Sequence, residues 1–147
     1  MERIPNPQEL AHLAMIARGD HKEIMAYVAD HYFTYDQAEK AFVARGNHDE
    51  IMTYIGWHFF HCDEAEIALV ARGNHDEIMR YVRKYCLPEK AEMALINRGN
   101  HDEIMRYLKR HYFAGEAEKA LILRGNQEEI EANAARKLES MDEDDLA

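Results

Sequence analysis

Apolar residues recur along this chain in short bursts of one shape. Four bursts read Ile24, Tyr27, Val28, His31, Tyr32; Ile51, Tyr54, Ile55, His58, Phe59; Ile78, Tyr81, Val82, Tyr85, Cys86; and Ile104, Tyr107, Leu108, His111, Tyr112. Their offsets of 0, 3, 4, 7 and 8 form one stripe of a 3.6-residue helix. Met25, Met52, Met79 and Met105 widen each stripe. These patterns predict helices over residues 21–32, 48–59, 75–86 and 101–112, here called B helices. Between them runs a second pattern with small residues at its centre: Ala38, Ala41, Phe42; Ala65, Ala68, Leu69; Ala91, Ala94, Leu95; and Ala117, Ala120, Leu121. It predicts A helices over residues 36–45, 63–72, 88–98 and 115–124, after a first one over 7–18. A last B helix, residues 127–138, lacks the tyrosine and the aromatic end, as a terminal cap with a polar outer face should.

Between each A helix and the following B helix stands one motif. It reads Arg72-Gly73-Asn74-His75-Asp76-Glu77-Ile78-Met79, with close copies at residues 45–52 and 98–105 and looser ones at 18–25 and 124–130. Gly19, Gly46, Gly73, Gly99 and Gly125 lie 27, 27, 26 and 26 residues apart. Glycine suits the position just past a helix end, and the Asn or Asp after it suits an N-cap. Glu23, Glu50, Glu77, Glu103 and Glu129 follow each cap by three residues, the spacing of a capping box. The motif is therefore a tight corner between two helices. A fixed period of this size is the mark of a repeat protein, in which stacking supplies the core that one hairpin lacks. The expected fold is all-α: a right-handed α-solenoid of about five helical hairpins and roughly ten short helices. It occupies residues 1–138 as a single domain, with a disordered acidic tail over 139–147.

The plan resembles HEAT, armadillo and tetratricopeptide solenoids, with a shorter unit and without the tetratricopeptide Trp and Pro signature. The RGN-H-D/E-E-I-M unit is similar to that of an uncharacterised bacterial family of short α-hairpin repeats, over roughly residues 8–138. That resemblance implies the fold and an interaction role, and carries no catalytic residue. Gly-Asn-His-Asp also resembles a metal-binding block of calcineurin-like metallophosphoesterases. The further blocks Asp-x-His and Gly-Asp-x-x-Asp, which a two-metal site needs, do not occur in this sequence.

Net charge changes the picture in one respect. The chain of 147 residues carries −10, and half of that comes from Glu139, Asp142, Glu143, Asp144 and Asp145. The remainder, about −5, offers no broad nucleic-acid footprint. No apolar run reaches the roughly 18 residues of a membrane span. Residues 1–5 have no secretory pattern, and two cysteines, Cys62 and Cys86, build no disulfide framework. The expectation is a cytoplasmic, non-enzymatic protein without a cofactor.

Candidate chemistry lies in three sets of residues. Arg18, Arg45, Arg72, Arg98 and Arg124 form a ladder, one per repeat, expected to brace the corners against helix-end carbonyls and Glu50, Glu77 and Glu103. His21, His48, His75 and His101 open the B helices and read as corner-packing elements. His58, His61 and Cys62 have ligand types suited to zinc, although His58 also belongs to the apolar stripe.

The most informative positions are those where the repeats differ. On the polar side of the B helices, Ala26, Ala29 and Asp30 give way to Thr53, Gly56 and Trp57, then to Arg80, Arg83 and Lys84, then to Arg106, Lys109 and Arg110. Two consecutive B helices thus carry six cations, and Trp57 is expected to face solvent. Trp57, Arg80, Arg83, Lys84, Arg106, Lys109 and Arg110 form the candidate partner-binding surface, suited to an acidic protein or peptide segment. The acidic tail itself is one such segment. A second reading takes the same cations to nucleic acid, against the acidic balance of the chain. A third is a structural homo-oligomer that associates through the solenoid ends or the tail.

Overall fold

The computed structural model describes residues 6–145, and side chains as far as Met141. The lead-in 1–5 and the tail acids Asp142, Glu143, Asp144 and Asp145 as side chains lie outside the described set. The protein is all-helical there, with no strand among the described residues. Ten helices follow in order: α1 (Pro7–Arg18), α2 (His21–Asp30), α3 (Asp36–Arg45), α4 (His48–Trp57), α5 (Asp63–Arg72), α6 (His75–Val82), α7 (Glu89–Arg98), α8 (His101–Leu108), α9 (Gly115–Arg124) and α10 (Gln127–Asp145). Odd-numbered helices are the A type and even-numbered the B type. None of them is long and apolar enough to cross a membrane.

The contacts divide the chain into two compact units, Met1–Arg72 and Gly73–Ala147. In the first, α1 packs on α3 and α3 on α5, while α2 packs on α4. In the second, α7 packs on α9, and α6 and α10 both pack on α8. Each unit is therefore a stack of helical hairpins in two layers, A on A and B on B, as the repeat pattern implies.

The corners form as the motif dictates. Asp20, Asn47, Asn74, Asn100 and Asn126 each accept, through the side-chain oxygen, the backbone N–H three residues on, at 3.1 Å. Gly46 and Gly99 have φ of +71° and +74°, a region open to glycine and strained for other residues. They are needed for space as well. A Cβ on Gly46 would lie 2.6 Å from Arg72 Nη1, and one on Gly99 3.0 Å from Arg124 Nη1. Arg45, Arg72 and Arg124 thus lie across Gly19, Gly46 and Gly99 of the repeats before them.

The B helices end earlier than their hydrophobic stripe implies. α2 and α4 stop two residues short of the expected ends, at Asp30 and Trp57, and α6 and α8 four residues short, at Val82 and Leu108. His31 and His58 are already extended, with φ of −132°. The stripe positions at offsets 7 and 8 thus leave the helix, and Tyr32 and Phe59 are about half exposed. The residue that follows turns inward instead. Phe33, Phe60, Leu87 and Phe113 are all buried. Phe33 and Phe60 stack on Tyr54 at 5.7 and 5.5 Å between centroids, and Phe113 on Tyr107 at 4.9 Å. At the other extreme, α10 runs on to Asp145, so the backbone is helical beyond residue 138, where the sequence reading placed the start of a disordered tail.

Candidate partner-binding surface

Two series of buried carboxylates set the register of the hairpins. The first is the glutamate of the corner motif. Glu50, Glu103 and Glu129 are buried, each on the third residue of a B helix. Arg45 grips Glu50 through Nε and Nη2 at 2.7 and 2.9 Å, and Arg45 Nη2 also reaches Gly19 O at 3.3 Å. Arg98 and Arg124 hold Glu103 and Glu129 at 2.8 and 2.7 Å. The histidine of the preceding repeat completes each clamp. His21, His75 and His101 place Nδ1 at 2.7, 2.6 and 2.6 Å from Glu50, Glu103 and Glu129. The motif glutamate therefore differs from the reciprocal capping box its spacing suggests. The Asn cap is made, but the carboxylates of Glu50, Glu103 and Glu129 go to Arg and His. Burial raises the pKa of Glu50 and Glu129, yet these cationic partners outweigh it and hold both below the ordinary carboxylate range. At the first corner the grip is looser: Arg18 meets Glu23 at 2.8 Å with both side chains about half exposed.

The second series sits on the A helices, where Glu39, Glu66, Glu92 and Glu118 recur at the repeat period directly after the first alanine of the stripe. Glu39 Oε2 accepts from Tyr54 OH at 2.7 Å and Oε1 from Cys62 N at 3.0 Å. Glu92 Oε2 accepts from Tyr107 OH at 2.6 Å. The same hydroxyls accept backbone N–H groups of the link residues, Phe33 to Tyr54 at 3.1 Å and Leu87 to Tyr107 at 3.2 Å. With no cation beside them, burial pushes both Glu39 and Glu92 up to about 7, against the opposing hydrogen bonds. The ends of the series are edited. His12 stands where the glutamate would be and shares a 2.9 Å hydrogen bond with Tyr27 OH. Asn133 stands where the tyrosine would be. It accepts from Phe113 N at 2.6 Å and donates to Phe113 O at 3.2 Å.

These joints fix where the candidate cations stand. The bond from His75, first residue of α6, to Glu103, third residue of α8, places the two N-termini side by side, so α6 and α8 run parallel. Their C-terminal ends are then neighbours too. Arg80 and Arg106 lie in the last turns of these helices, Arg83 and Lys109 are their C-caps, and Lys84 and Arg110 follow immediately. Arg106 is half-buried and the other five are exposed. None of the six forms an ion pair among the described residues. Each trio is thus gathered at a helix exit, where the helix dipole favours cations.

The field there is positive enough to act on its neighbours. Burial, then Arg110 and Arg136, lower the pKa of His111. Arg136 of α10 donates to Leu108 O at 3.3 Å and to Lys109 O, and pairs with Glu139 at 2.9 Å. That last pair brings the first tail acid to α8's exit.

Trp57 belongs to the first unit, at the last residue of α4, and is 73% exposed. Near the same helix exits, His61 lies 4.8 Å from both Tyr32 and Phe59, giving an exposed aromatic cluster. Tyr32 and Phe59 end their apolar stripes, where the period alone predicts burial, whereas His61 lies in the link that follows. His58, His61 and Cys62 make no ligand set. Cys62 Sγ donates to Glu64 Oε2 at 3.1 Å, burial pushes its thiol up to about 11, and His58 is lowered by burial and by His61 and His31. Among the described residues no group of three or more His, Cys, Asp or Glu is placed to hold a metal ion. Comparison with protein-family models, with curated proteins and with solved structures finds no match to this chain.

Proposed function

We propose that the protein is a non-enzymatic interaction module that docks an acidic protein segment on the exits of α6 and α8. The observation that carries this reading is the set of six cations on two parallel, adjacent helices, none ion-paired among the described residues, in a chain of net charge −10. What sets this surface apart is the concentration of six such cations at two neighbouring helix exits in a chain where acids outnumber bases. Arg supplies bidentate geometry toward carboxylates, and Lys adds unoriented charge. Exposed pairs contribute roughly 0.2–1 kcal/mol each, so several must act together to hold a partner.

The test is capture from a lysate of the source cell by the wild type and by a variant with Arg80, Arg83, Arg106 and Arg110 changed to Gln, with nuclease treatment in parallel. Gln is the better choice, because Glu at a helix C-terminus would itself cost about 0.3–1 kcal/mol per site. An acidic protein retained by the wild type alone, whether or not nuclease is added, supports the reading. Material lost on nuclease treatment moves the surface to nucleic acid, and equal retention by both chains removes the surface from consideration.

A further inference from the structure

Equivalent positions in successive repeats show what each helix joint covers. α9 packs on α7 and α10, and there Ala117, eight residues before the corner glycine, is fully buried, while Ile122, three before, is 55% exposed. α1 packs on α3 and α2, and shows the reverse: Ile16, three before the glycine, is buried and Ala11, eight before, is exposed. The first position therefore faces the preceding A helix and the second faces the following one. In α3, which has an A helix on either side, Ala38 and Val43 are 0% and 3% exposed. Ile96 of α7, covered by α9, is 4% exposed. Ala11 and Ile122 are thus the two halves of a joint that the protein builds repeatedly, and both lie open.

The B layer is edited at the same two ends in opposite senses. Thr53 Oγ1 lies 3.8 Å from Met25 Sδ and donates to Asp49 O at 2.9 Å. The residue six after one corner glycine thus sits beside the next B helix, one turn from the position three after that helix's own glycine. Met stands at the first of these positions in four repeats, and Glu131 in the fifth. Asp or Glu stands at the second in four repeats, and Lys22 in the first. An exposed anion at one end therefore matches an exposed cation at the other. The carboxylate clamp is left half-made in the same way. Glu23 has Arg18 but no histidine before it, and Gln127 stands in the histidine's place with its amide on Glu131 at 3.0 Å.

We propose that the chain associates with itself head to tail, the α9–α10 end of one copy receiving the α1–α2 end of a second. Ile122 then covers Ala11, Glu131 faces Lys22, and Gln127 donates to Glu23. The exchange of Met for Glu and of acid for Lys makes this joint specific to the two ends. The contact is heterologous, so it propagates beyond a dimer unless the geometry closes a ring.

The experiment is sedimentation velocity from about 10 μM to about 1 mM, a range that reads weak association. Mean mass should rise with concentration for the wild type. Ile122→Glu alone and Ala11→Glu alone should each stay monomeric, because every copy then lacks the same half of the joint. Mixed, they should form a one-to-one dimer and nothing larger. Lys22→Glu should weaken association roughly two- to fivefold, and Lys22→Glu mixed with Glu131→Lys should restore it. Both blocking sites are exposed, and an unchanged helical melt confirms that the variants fold. A wild type that stays monomeric throughout, a blocked variant that associates like the wild type, or a mixture that forms no dimer overturns the proposal.

Discussion

At the residue scale, Glu50 and Glu39 are equally buried and behave in opposite ways. Glu50 faces Arg45 and His21 and stays ionised, whereas Glu39 faces a tyrosine hydroxyl and a backbone N–H and is pushed up to about 7. Their linkage to folding therefore runs in opposite directions. For Glu39 and Glu92 the folded pKa exceeds the unfolded one, so the stability they contribute is complete below about 4.5 and is lost as pH rises through about 7. For Glu50 and Glu129 the folded pKa is depressed, so their contribution is present at neutral pH and lost as pH falls through that depressed value. Replacing Glu39 and Glu92 by Gln should flatten the decline between pH 5 and pH 8, by at most about 3 kcal/mol per site. Urea unfolding at the two pH values measures it, and an unchanged pH slope would contradict the assignment. Asn133→Ala should cost roughly 2–4 kcal/mol, because it leaves both polar groups of the buried Phe113 backbone unpaired. Asn133→Asp, which keeps only the acceptor, should fall between the two.

At the scale of the element, the B helices show how a correct period yields a wrong boundary. Offsets 0, 3 and 4 of the stripe are core: Ile51, Tyr54 and Ile55 are buried. Offsets 7 and 8 continue the same period, yet belong to a link that has already left the helix. What ends the helix is the pull of the next residue, Phe33 or Phe113, into the stack around a buried tyrosine. Burying such a ring contributes about 1.5–3 kcal/mol, which outweighs a further turn of half-exposed helix. Phe33→Ala and Phe113→Ala should each cost about 3–5 kcal/mol, measured by denaturant unfolding. Tyr32→Ala should cost under about 1 kcal/mol, since that side chain is already half exposed. The sequence carried the signal, because an aromatic or leucine recurs at this place in four repeats, but three consecutive bulky residues concealed which one points inward.

At the scale of the molecule, charge is distributed by repeat. In the first 72 residues acids outnumber bases by six, while from residue 73 through 138 bases outnumber acids by one. The excess cations of that second segment are those at the α6 and α8 exits. Binding of an acidic partner there should weaken as salt rises, and the four-site Gln variant should lose most of that salt dependence together with the affinity. A salt titration of the captured complex checks this. Retention of the full salt slope by the variant would place the electrostatic contact elsewhere.

The sequence alone determined the class and count of helices, the corner chemistry and the repeat register. Those follow from local causes: a 3.6-residue period, an Asn or Asp cap, and a glycine where the backbone turns left-handed. The positions that vary between repeats were equally legible, and they include both the six cations and the exposed Trp57. Tertiary structure decided what depends on the neighbouring repeat. It set which of Tyr32 and Phe33 is buried, and it added His21 of the preceding repeat to the Arg45–Glu50 brace that the sequence leads one to expect. It gathered the cations at helix exits, and it left Ala11 and Ile122 uncovered. The reason is physical: a hairpin this small buries little by itself, so the roles of its side chains are assigned by the hairpin stacked against it.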